Sequence, residues 1–240
     1  MSQLHTEWTV LPHGPLTHFD DDIATVQGDL SMPLGHFPRR MTVVRLRDGG
    51  LVIFSAIALE DHEMRWLESW GRPAFLVVPN ALHRIDAKAW KDRYPTLRVI
   101  APAGARGKVE EVVHVDDTQG SFGDPSVRLV IVPGTREGEA ALEVDRSGGT
   151  TLVVNDVVWN LSHRGGLSGW VLGAVGMTHD TPHLPRFVEK LSVHDARALA
   201  DQLDAWAALP RLRRVLVSHG EEITTEPAEA LRRIARHLRH

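Results

Sequence analysis

An apolar strand that ends abruptly in polar residues is encoded at positions 152–156, which read LVVND. Two further segments have the same form, LVVPNALHRID at 76–86 and VLVSHG at 215–220. In α/β sheets the carboxyl ends of the strands meet at one edge, where ligands bind. A His or Asp after a single strand is more often a cap or turn residue. Three segments that share one position relative to their strands favour a functional site.

The polar ends of these strands carry residue types that bind metals. They supply His83, Asp156 and His219, and imidazoles with a carboxylate suit Zn²⁺ or Fe. A mononuclear catalytic site needs about three protein ligands plus water. We therefore expect these side chains to be close neighbours in space, with one bound ion.

The pattern of strands and helices predicts one α/β domain over residues 1–240, with two packed sheets and helices outside. The runs 42–46 and 51–55 flank Asp48-Gly49-Gly50 and predict a hairpin. The other predicted elements are strands at 75–78, 98–101, 127–132, 140–144, 150–154 and 214–217, and helices at 61–70, 83–93, 196–206 and 227–238. Residues 102–107 and 160–186 are predicted to be irregular.

Composition narrows the class of protein. Hydrophobic residues make up 42% and charged residues 24% of the 240 residues, as in ordinary soluble domains. The absence of cysteine excludes disulfides and thiolate metal sites. No segment has the form of a signal peptide or a membrane span, so we expect a cytoplasmic protein. The net charge of −4 argues against a nucleic-acid partner and leaves a small-molecule substrate as the expected one.

The order of the segments resembles the metallo-β-lactamase superfamily over nearly the whole chain. In that family one strand ends in a His-x-His-x-Asp-His loop, a later one in Pro-Gly-His, another in a metal-bridging Asp and a last one in His. Here Pro133-Gly134-Thr135 resembles the second element, Asp156 the bridging carboxylate and His219 the last ligand. The resemblance implies a four-layer αββα sandwich and metal-dependent hydrolysis.

A narrower resemblance is to a branch of that superfamily with no settled activity. It rests on a Pro-Asn-x-x-His segment before a helix with Trp and a following Tyr-Pro, together with an Arg-Leu-x-Asp-Gly hairpin. The matching residues are Pro79, Asn80, His83, Trp90, Tyr94 and Pro95, and Arg45, Leu46, Asp48 and Gly49.

Departures from the family pattern leave the function open. The full His-x-His-x-Asp-His loop is absent; Asn80 could stand at its first histidine and Asp86 at a later position. In the second element, Thr135 replaces the histidine. One hypothesis is a mononuclear metal-dependent hydrolase in which Asp156 also orients water or accepts its proton. The alternative is a metal-free, non-catalytic member of the fold that acts in binding or assembly. An enzyme that uses other groups at the same edge is a third possibility.

Other residues near these strand ends are candidates for contact with substrate. They are Asn80, Trp159 and His163, with core packing an equal alternative for Trp159 and for Trp170. His179 and His183, in the irregular segment, are interpreted as surface or lid residues that could also supply ligands.

Overall fold

Two β-sheets form the centre of the protein. The computed structural model describes residues 4–20, 22–32, 35–162 and 176–240. The first sheet contains β1 (Thr17–Asp20), β2 (Ile23–Met32), β3 (Gly35–Arg45), β4 (Gly50–Phe54), β5 (Arg72–Val77) and β6 (Arg98–Ile100), in that order. The second contains β7 (Val127–Ile131), β8 (Ala140–Arg146), β9 (Gly149–Val154) and β10 (Leu212–Val217), in the order β10–β9–β8–β7.

Helices cover the outer face of each sheet. The described helices are α1 (Asp61–Trp70), α2 (Ala87–Arg93), α3 (Ala103–Val109), α4 (Arg186–Ser192), α5 (Ala196–Ala207) and α6 (Pro227–Leu238). Buried residues of α1, α2 and α3 pack on the first sheet, and those of α5 and α6 pack on the second. A third apolar cluster, which includes Phe54, Val77 and Leu216, fills the space between the sheets. The expected four-layer αββα sandwich is confirmed.

Strand direction brings the predicted strand ends to one side of the molecule. Strands β4, β5 and β6 run parallel to one another, and β9 runs parallel to β10. The backbone N–H of Ala140, at the start of β8, donates to the carbonyl of Pro79 after β5 at 2.9 Å. This bond ties the end of β5 to the second sheet. No helix in the described ranges is long and apolar enough to cross a membrane.

Two local predictions are wrong. The segment 102–107, predicted as a loop, contains the start of α3. Gly104 in this helix packs against the segment that follows β7, where a Cβ would lie 2.3 Å from the carbonyl oxygen of Arg136. The helix predicted from His83 begins only at Ala87, since the Asn80 side chain folds the preceding residues into a turn.

Gly134, in the Pro133-Gly134-Thr135 turn, combines a positive φ of 82° with a close backbone contact. A Cβ there would lie 2.2 Å from the carbonyl oxygen of Asp195, whereas Gly49, with φ of 81°, faces open space.

We expect Gly49→Ala to lower the free energy of unfolding by about 1 kcal/mol, from backbone strain alone. Gly134→Ala should cost about 3 kcal/mol or more, because its methyl group also meets backbone. Urea unfolding of both variants measures the difference, and equal losses would contradict the close approach.

Candidate metal centre

The predicted cluster of His83, Asp156 and His219 assembles where the two sheets meet. Asp156 and His219 follow the adjacent parallel strands β9 and β10, which fixes them as neighbours. His83 comes from the turn after β5 in the other sheet. In the described part of the chain this is the one group of three His, Asp or Glu side chains whose ligand atoms all lie within 4.8 Å of one another.

The ligand atoms are spaced as around a small metal ion. His219 Nε2 lies 2.9 Å from Asp156 Oδ1 and 3.3 Å from His83 Nε2. His83 Nε2 lies 3.4 Å from Asp156 Oδ1. Ligands placed tetrahedrally at usual zinc bond lengths are about 3.3 Å apart. The three atoms therefore outline one face of a tetrahedron, and the donor set fits a single ion.

The protons in the cluster are constrained by its neighbours. His219 Nδ1 lies 2.8 Å from the carbonyl oxygen of Pro38, which can only accept, so Nδ1 donates and Nε2 can present its lone pair to the cluster. Burial lowers the pKa of His83, against the raising effect of Asp156, which favours the neutral imidazole that metals bind. Burial alone would raise the pKa of Asp156, but protons on His83 and His219, through charge and hydrogen bonds, outweigh burial and hold that pKa low. A bound ion would take the place of those protons.

Asn80 and Glu139 hold the cluster in place through buried hydrogen bonds. Asn80 Oδ1 accepts from the backbone N–H groups of Leu82 and His83 at 2.8 and 3.1 Å. Its Nδ2 donates to Asp156 Oδ2 at 2.7 Å and to Glu139 Oε2 at 3.0 Å. These bonds use both ends of a side chain that is 7% exposed, so Asn80 positions the cluster, and its contact with substrate stays a prediction.

Glu139 is a site residue that sequence reasoning missed. Its Oε1 accepts from the backbone N–H of Asp156 at 3.0 Å, and the side chain is buried. Burial, together with the negative charge of Asp156, raises the pKa of Glu139 to about 8. The one signal in the sequence is a glutamate directly in front of the apolar run of β8, and that signal does not reveal which groups it meets.

Aromatic rings fix the orientation of His219. The Trp159 and Phe37 rings lie with their centroids 4.5 and 4.6 Å from the imidazole. Trp159 is only 2% exposed, so the structure places it in the packing behind a ligand.

Other candidate residues stand apart from the cluster. Asp86 is fully buried between Arg39 and His5, at 2.6 and 2.7 Å, so it does not replace a family ligand. The hydroxyl of Thr135 donates to the carbonyl of Val132 within its own turn. His179 and His183 lie against each other, with ring centroids 5.4 Å apart, and are not part of the cluster. His163 and Trp170 lie outside the described residues.

Known structures share this architecture. The metallo-β-lactamase FIM-1 from Pseudomonas aeruginosa, in its mono-zinc form, has a TM-score of 0.64 at 12% identity, over 95% of this chain and 96% of its own. The metallo-β-lactamase from Hirschia baltica has a TM-score of 0.61 at 11% identity, over 93% of this chain and 98% of its own. The metallo-β-lactamase from Erythrobacter litoralis has a TM-score of 0.64 at 11% identity, over 92% of this chain and 96% of its own. The protein therefore has the metallo-β-lactamase fold.

Sequence relatives add little to this result. No protein-family model matches the chain, so the narrower branch stays a prediction. A curated relative, the DNA-directed RNA polymerase subunit beta' of Desulforudis audaxviator (strain MP104C), is 28% identical over 90 residues, or 36% of this chain. The match spans only 7% of that subunit's length.

The isosteric substitution Asn80→Asp tests the hydrogen bonds that Asn80 Nδ2 donates to Asp156 and Glu139. It keeps the acceptor for the turn and replaces the shared donor by an oxygen that faces two buried carboxyl groups, of which Asp156 is ionised. We expect a loss of about 3 kcal/mol or more in the free energy of unfolding at pH 7, measured by urea unfolding of chelator-treated protein. The loss should shrink as the pH falls, because protonation restores a donor.

Asn160→Asp is the control for this experiment. The Asn160 side chain donates an exposed hydrogen bond from Nδ2 to the carbonyl of Glu221. We expect this change to cost less than about 1 kcal/mol. If both substitutions lower the free energy of unfolding by the same amount, Asn80 does not bridge Asp156 and Glu139.

Proposed function

We propose that the protein is a hydrolase that uses one Zn²⁺ or Fe ion held by His83, Asp156 and His219. The observation that carries the proposal is the triangle of 2.9, 3.3 and 3.4 Å that the three ligand atoms form. Three protein ligands leave a fourth position open, which distinguishes catalytic zinc sites from closed structural ones. The fold neighbour FIM-1, in its mono-zinc form, supports a centre with a single ion.

The protein residues would have distinct roles at such a centre. A bound ion supplies Lewis acidity, which lowers the pKa of a coordinated water molecule. Asp156 would bind the ion as a carboxylate, because metal ligands must be deprotonated, and it would also orient the coordinated water or accept its proton. His219, fixed by the Pro38 carbonyl and the Trp159 ring, offers Nε2 without rearrangement. We propose a small molecule as the substrate.

A metal-free, non-catalytic role is the second candidate. Asp156 accepts a hydrogen bond from Asn80, and the imidazoles of His83 and His219 both lie within 3.4 Å of its Oδ1, so this buried carboxylate has polar neighbours without an ion. Thr135 stands where the family has a histidine, and this replacement also favours a metal-free role. Under this alternative the cluster stabilises the sheet edge, and the protein acts by binding or assembly.

Metal content separates the two candidates. We expect about one equivalent of zinc or iron per chain after purification, measured by elemental analysis, because the donor set fits one ion. Adding Zn²⁺ at about 100 times the dissociation constant should raise the melting temperature of chelator-treated protein by roughly 5–10 °C. His219→Ala should abolish both effects.

His179→Ala is the control, because His179 is exposed and lies outside the cluster. It should retain the metal and the thermal shift. A parent protein that contains no metal and takes up none on titration with Zn²⁺ or Fe²⁺ would overturn the proposed metal-dependent hydrolase.

A further inference from the structure

Ser55 adopts a backbone conformation that is unfavourable for a residue with a side chain. It directly follows β4, is 3% exposed and has a φ of 57°, in the left-handed region. Its N–H donates to the carbonyl of Val77 at 3.0 Å, which anchors this conformation to the neighbouring strand. Strained residues of this kind persist where the surrounding structure imposes them, and they cluster at functional sites.

The Ser55 hydroxyl meets a candidate metal ligand. Its Oγ lies 2.8 Å from His83 Nδ1, on the opposite side of the ring from the Nε2 that faces Asp156 and His219. His83 sits in a turn rather than in a strand or helix. Ser55 therefore supplies a side-chain contact that sets the angle of this ring.

We propose that Ser55 is a positioning residue whose left-handed backbone aims its hydroxyl at His83 Nδ1 and so holds Nε2 toward the cluster. The inference rests on the proposed function, since it assigns His83 Nε2 as a ligand atom. A ligating Nε2 must be unprotonated, so Nδ1 carries the proton and donates to Ser55 Oγ.

A hydroxyl suits this position because it can donate as well as accept. When His83 carries its proton on Nε2 and donates toward Asp156, Ser55 can donate to Nδ1 instead. A carboxylate or a carbonyl could serve only the first arrangement. Ser55 thus keeps the ring in place in both tautomers, before and after an ion binds.

Substitutions of Ser55 separate the hydroxyl from the backbone strain. Ser55→Ala removes the hydroxyl and keeps the strain, whereas Ser55→Gly removes both. We expect both variants to bind Zn²⁺ about 10- to 100-fold more weakly than the parent, measured by competition with a chelator, as for other lost outer contacts of ligating histidines. Chelator-treated Ser55→Gly should melt about 2–4 °C above Ser55→Ala, because glycine tolerates the positive φ.

Glu226→Gly is the control for strain. Glu226 has a φ of 47°, is exposed and caps α6 away from the cluster. This change should leave the affinity for Zn²⁺ unaltered, which shows that relief of strain alone does not weaken binding. Parent-like affinity in Ser55→Ala would overturn the inference.

A parent that binds no metal would defeat the proposed function but not decide the role of Ser55. In that case ¹⁵N NMR of histidine-labelled protein, with His83 assigned by its loss in His83→Gln, gives the readout. We expect one set of sharp His83 ring signals in the parent, because Ser55 holds the ring in place, and signals broadened by ring motion in Ser55→Ala. Equally sharp His83 ring signals in both proteins would overturn the inference.

Discussion

Mutual repulsion among three electron-pair donors is the constraint on which this structure depends. Two imidazole nitrogens and a carboxylate oxygen lie within 3.4 Å of one another at a buried sheet edge. Such groups approach closely only when a proton or a cation lies between them and when rigid contacts hold them from behind. The Pro38 carbonyl, the Ser55 hydroxyl and the Asn80 amide provide those contacts, one for each ligand side chain.

The two-sheet architecture makes the cluster a property of the whole fold. Parallel pairing of β9 with β10 sets Asp156 beside His219, while His83 arrives from the other sheet. The bond from Ala140 to the Pro79 carbonyl and the Glu139 side chain join the two sheets at this point. Because the ligands span the sheets, any loosening of the interface would move His83 away from the other two. Binding of an ion should in turn stabilise the packing of the sheets.

Sequence reasoning predicted the parts of the site that depend on strand ends. Apolar runs followed by polar residues marked all three members of the cluster, and the layer order followed from the alternation of elements. It did not find Ser55 or Glu139, because a positive φ and a buried carboxyl contact arise from tertiary structure. The start of α3 was predicted as a loop, whereas Gly104 there lies in a helix and allows a close approach to the backbone of Arg136. Asn80 was identified as a site residue, but its role depends on which groups fold around it.

An anomalous diffraction experiment on crystals grown with Zn²⁺ tests the central claim most directly. Data collected on both sides of the zinc absorption edge should give one strong peak about 2.0–2.1 Å from Nε2 of His83, Nε2 of His219 and Oδ1 of Asp156. A map with no peak at this position, or with its zinc bound by other histidines such as His179 and His183, would contradict the account.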